Sequence, residues 1–67
     1  MTAKQALAVV AAAERRGISR EAIAAKLCCS TDTLRKWPER PKATVSRAIA
    51  ANVVALEMEL AAMEATG

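Results

Sequence analysis

The stretch from Ser19 to Trp37 reads SREAIAAKLCCSTDTLRKW. It holds two short helical patterns with almost nothing between them. Ser19 is a natural N-cap, since its hydroxyl can accept from a backbone N–H of the first turn. The run over about residues 20 to 27 places Ile23, Ala24 and Leu27 on one face. Ser30 is a second N-cap and opens a helix with Leu34 and Trp37 turned inward. Pro38 ends that helix near Trp37, because proline restricts the residue before it and lacks an N–H. Only Cys28 and Cys29 separate the two helices, so they must cross steeply. Ala24 lies four residues before the turn, where the helices approach most closely and only a small side chain fits.

The flanks extend the same pattern. Thr2 with Gln5 three residues on is a capping-box signature. An alanine-rich helix follows, with Leu7, Val10 and Ala11 on its apolar face. Arg15 and Arg16 suit a C-terminal turn, Gly17 a left-handed stop, and Ile18 the apolar contact that accompanies one. Beyond Trp37, Pro38-Glu39-Arg40-Pro41-Lys42 reads as a stiff loop. Thr44 or a neighbour starts a long last helix reaching about Ala65. The expected fold is all-α: one small domain over 1–67, about four helices, the C-terminal one long.

Composition excludes much. The 67 residues allow a single small core, and with 54% hydrophobic residues the chain is no disordered tail. Trp37 is the sole aromatic, so Ala, Val, Leu, Ile and Met must fill the core. There is no histidine, hence no commonplace acid–base group or imidazole ligand. Two adjacent cysteines make neither a disulfide framework nor a four-ligand zinc site, and they fit a reducing compartment. No metal and no cofactor is expected. The longest uncharged apolar run, Ala6 to Ala13, is too short to span a bilayer. It also makes a poor signal-peptide core, because Glu14, Arg15 and Arg16 follow it at once. A cytoplasmic chain with no membrane partner is expected.

Charge is unevenly spread. Residues 1–47 carry ten cations and four carboxylates, a balance of +6, and residues 48–67 carry three glutamates, −3. A basic body with an acidic end permits a polyanion partner without proving one.

The second of two tightly joined helices can enter the major groove of DNA while the first lies across the backbone. The stretch SREAIAAKLCCSTDTLRKW resembles the helix-turn-helix of the Cro/cI-type (XRE-like) phage and bacterial regulators. The buried small residue of that motif falls on Ala24, and the apolar residue before the turn on Leu27. The serine-x-x-threonine-aliphatic start of the recognition helix falls on Ser30, Thr33 and Leu34. The apolar closing position falls on Trp37, and the first motif residue, often Gln, on Arg20. The turn departs from the pattern: Cys28 and Cys29 stand where Gly and Val are usual. Keeping the usual turn puts Cys28 in a left-handed conformation, at roughly 1 kcal/mol.

The resemblance implies a recognition helix presenting Thr31, Asp32, Arg35 and Lys36 to base edges. The Arg35 fork suits guanine O6 and N7, Lys36 a base or phosphate, and Asp32 a cytosine amino group or simply the helix N-terminus. Ser19, Arg20 and Ser30 sit at helix starts that can hold phosphate, and Arg40 and Lys42 lie just beyond, in reach of the backbone. Each has a plainer role open to it, as cap or solvated charge. Trp37 reads as core, since a lone aromatic is a poor platform for single strands.

Ile49, Val53, Leu56, Leu60 and Met63 are spaced 4, 3, 4, 3, like the seam of a coiled coil. This makes 44–65 a candidate dimerisation helix, unless the row folds back onto the first helix. Together these readings imply a sequence-specific transcriptional regulator, most simply a homodimeric autorepressor on an inverted repeat of double-stranded DNA. In size and motif the resemblance extends to regulators of phages and mobile elements, including anti-CRISPR-associated repressors. Alternatives are an excisionase-like or packaging DNA-binding protein, and a module that binds a host protein through its apolar helix. No enzyme is expected, because no histidine base is available to activate a Ser or Cys nucleophile.

Overall fold

The computed structural model describes residues 1–66. Its elements are α1 (Ala3–Arg15), α2 (Arg20–Leu27), α3 (Thr31–Lys36), a 3₁₀ turn (Trp37–Glu39) and α4 (Arg47–Thr66). Among the described residues there is no strand, only an isolated bridge between Thr2 and Thr44. The all-α class and the long last helix therefore stand.

Local chemistry accounts for the helix ends. The Gln5 N–H donates to Thr2 Oγ1 at 3.3 Å, and the Thr2 N–H to Gln5 Oε1 at 2.9 Å, which completes the capping box. The next two helix N–H groups find long-range partners: Ala3 donates to the Ala43 carbonyl at 2.8 Å and Lys4 to that of Pro41 at 3.0 Å. Chain far along the sequence thus satisfies donors that a helix start otherwise leaves to water. At the other end Gly17 is left-handed, with φ +86°. Its N–H donates to the Glu14 carbonyl and that of Ile18 to Ala13, the Schellman arrangement.

α2 ends the same way without a glycine. Cys28 has φ 59° and ψ 40°. The Cys28 N–H donates to the Ala25 carbonyl and the Cys29 N–H to Ala24. The usual turn is thus kept, and a cysteine carries its strain. Cys28→Gly should raise stability by about 1 kcal/mol, lifting the melting temperature by roughly 4–8 °C. A thermal melt that moves down would show that the Cys28 side chain contributes packing that outweighs the backbone strain.

The core joins all the helices. Ala6, Val9, Val10 and Ala13 of α1 face Val53, Leu56 and Leu60 of α4, with Ile23, Ala24, Leu27, Leu34, Trp37 and Val45 completing one cluster. Three expectations are corrected here. The buried face of α1 is Ala3, Ala6, Val9, Val10 and Ala13; Leu7 and Ala11 are only half-buried. The last helix begins at Arg47, not Thr44, because Thr44 is drawn into the bridge with Thr2. Ser46 takes the cap instead, its hydroxyl accepting from the Ile49 N–H. Most consequentially, Val53, Leu56 and Leu60 are buried within their own chain. The row expected to meet a second chain is covered by α1 and α2 of its own chain, whose apolar faces needed the same cover. Ile49 is half-buried beside the core and Met63 is exposed.

Candidate nucleic-acid interface

The site is built from the second and third helices. Leu34 and Trp37 are buried. Residues of α3 on the opposite side must then face outward, and Thr31, Asp32, Arg35 and Lys36 are all exposed. The Ser30 hydroxyl fixes the start of α3 by accepting from the Thr33 N–H at 3.2 Å, and it also bonds the Thr33 hydroxyl at 3.0 Å. Ser19 does the same for α2, accepting from Ala22. Both serines are therefore caps, exposed at the surface. Their hydroxyls are already engaged.

Asp32 joins the charged side chains of α3 into one unit. Its carboxylate pairs with the Arg35 guanidinium one turn on, and its second oxygen lies 3.2 Å from Lys36 Nζ. Hydrogen bonding and charge from Lys36, then from Arg35, hold the Asp32 carboxyl below the usual carboxylate range. Asp32 is thus committed to its two cations in the free protein. It orients Arg35 rather than standing open to a cytosine amino group.

Arg20 is the piece contributed by α2. Its Nε donates to Glu14 Oε1 at 2.9 Å, which ties it to the end of α1. With Thr31, Asp32 and Arg35 it lines one shallow cleft of about 260 Å³. Four residues singled out from the sequence therefore converge, and Lys36 adjoins them through Asp32. Arg40 and Lys42 lie apart, exposed beyond the 3₁₀ turn and without a carboxylate partner among the described residues. Comparison with family models, curated proteins and solved structures gives no match to this chain. The chemistry of the site therefore has to be read from these residues alone.

The side chains gathered at the site are charged or hydroxyl-bearing and all exposed. Burial, and then the neighbouring Cys28, push the Cys29 thiol above its ordinary value, so it is no ready nucleophile. Among the described residues no group of three or more His, Cys, Asp or Glu is placed to hold a metal, and no helix is long and apolar enough to cross a membrane.

Two participants escaped the sequence. Asn52 of α4 donates its Nδ2 to the Leu27 carbonyl at 3.1 Å, locking the end of α2 to α4. Lys4 lies beside the Pro41 backbone, next to Lys42. No local signal marks either, since both depend on contacts between distant segments.

Proposed function

We propose that this chain is a sequence-specific regulator that binds double-stranded DNA by placing α3 in the major groove, as a homodimer on an inverted repeat. One observation carries the reading. α3 turns Thr31, Asp32, Arg35 and Lys36 outward together while Leu34 and Trp37 anchor its other side in the core. A rigid helix with a pre-set arginine fork is what base-edge reading needs. Arg20 beside the start of α3 adds a cation where the flanking phosphate would pass. Such a dimer acts most simply by occupying a promoter and excluding polymerase, its own promoter included.

The homodimer needs a surface other than the buried row. α4 supplies one on its outward side, where Val54 is 46% and Met58 68% exposed among the exposed alanines 51 and 55. A helix apolar on both sides is one that expects cover on both. The same face favours the second reading, a module that docks on a partner protein.

Selection from a pool of random duplexes separates the two. Enrichment of a two-fold symmetric site, with half-sites about 10 bp apart or a multiple, is the expected result. A pool that emerges unenriched after selection at low salt would sink the DNA reading and leave the α4 face as the functional surface.

A further inference from the structure

We propose that Lys4, Arg40, Lys42 and Arg47 form a second, preassembled patch that binds the DNA phosphate backbone and carries most of the salt-sensitive affinity. The inference rests on the DNA-binding reading and assigns a different task to a different surface.

The cations of this protein fall into two populations. Arg16, Arg20, Lys26, Arg35 and Lys36 each sit against a carboxylate. Among the described residues, those without one are Lys4, Arg15, Arg40, Lys42 and Arg47. Arg15 is at the far end of α1. The other four are gathered at one end of the molecule by backbone hydrogen bonds.

The Lys4 N–H donates to the Pro41 carbonyl, between Arg40 and Lys42 in the chain. The Ala3 N–H donates to Ala43, and the Val45 N–H returns to the Met1 carbonyl at 2.9 Å. Arg47 then opens α4 with only Ser46 intervening. Helical side chains lean toward the N-terminus of their helix. Lys4 and Arg47 therefore both lean toward the 40–45 segment. All four side chains are exposed. The only carboxylate nearby in sequence is Glu39, which pairs with none of them, and the next along the chain is Glu57. Exposed cations gathered on one surface without an ion-paired acid attract a polyanion.

The patch continues from the reading helix. α3 runs directly into the 3₁₀ turn, and the Arg40 N–H donates to the Trp37 carbonyl. A duplex lying against α3 would meet the patch at the helix C-terminus. A division of labour follows. Arg35 and Lys36 come to the DNA already partly neutralised by Asp32 and release few counterions. The unpaired four release most of them.

Binding to a mixed-sequence duplex, followed by fluorescence anisotropy across salt concentrations, tests this. Each lost phosphate contact lowers the slope of log affinity against log salt by about 0.9. Lys4→Gln, Lys42→Gln and Arg47→Gln combined should lower it by about 2.7, with equal loss on a selected site and on unrelated DNA. The charge-matched triple Arg15→Gln, Arg16→Gln and Lys26→Gln should leave it nearly unchanged. Lys4→Gln alone, at one exposed position, should lower the slope by about 0.9 even if a triple folds poorly. Equal falls in both triples would reduce the patch to net charge and overturn the proposal. So would an unchanged slope in the first triple and in Lys4→Gln, while the DNA reading stood. A wild-type protein that binds no duplex at low salt overturns both.

Discussion

Leu56→Glu should abolish the fold, whereas Met58→Glu, two residues along the same helix, should leave it intact. Leu56 is 2% exposed and packs in the core, while Met58 is 68% exposed on the outward side of α4. Removing a buried leucine costs about 2–5 kcal/mol before any charge is considered. The glutamate must then be desolvated with no buried cation to receive it, since the core holds no charged residue among the described ones. A chain of this length has only about 3–10 kcal/mol of stability in all. Far-UV circular dichroism should show Leu56→Glu without a cooperative melt, and Met58→Glu with helix content and melting temperature close to the parent. If the homodimer packs along the outward face, sedimentation equilibrium should show Met58→Glu as a monomer where the parent is a dimer. A Leu56→Glu protein that melts cooperatively would place Leu56 outside the core and revive the row from Ile49 to Met63 as a dimer seam. A parent that sediments as a monomer when bound to DNA removes the homodimer.

That contrast also shows where sequence reading stops. Capping and chain punctuation act over three or four residues, so Thr2 with Gln5, Ser19, Ser30, Gly17 and even the left-handed Cys28 were legible. The 4-3 spacing along α4 was legible as an apolar stripe, but not as a destination. A core-facing stripe and a coiled-coil seam share one periodicity, and the difference lies in what covers it. The cover here is α2 together with α1, and the buried residues of α1 are all alanines and valines. Alanine carries little apolar signal, so the face was read through Leu7, Val10 and Ala11, of which only Val10 is buried. Small residues nonetheless let α1 pack against α4, and α1 and α2 together cover Val53, Leu56 and Leu60. The outward residues of α3 followed from fixing Leu34 and Trp37 inside. The clip made by Asp32 needed coordinates, as did the carbonyls of Pro41 and Ala43 on the start of α1. The first is a choice among several rotamers, and the second a contact across most of the chain.

Arg35→Ala should flatten the preference at one base pair of each half-site. The Arg35 side chain is 75% exposed, yet its guanidinium is held by Asp32 three residues earlier on the same helix. Exposure gives it reach into a groove, and the ion pair with Asp32 biases where the fork sits before DNA arrives. A fork set in advance loses less entropy on pairing with guanine O6 and N7. That bidentate pair discriminates against the wrong base by about 1–3 kcal/mol, or roughly 5–150-fold. Arg35→Lys keeps the charge but not the fork, so it should lose nearly as much discrimination while holding general affinity. Asp32→Asn frees both cations. It should raise affinity for unrelated DNA and blur the preference at the same base pair. Lys42→Ala, by contrast, should weaken every sequence alike and lower the salt slope by about one. Competition titrations of a selected site against single-base variants give each of these numbers directly. Should Arg35→Ala weaken selected and random duplexes by the same factor, α3 does not read bases, and the outward cluster on it is a solvated face.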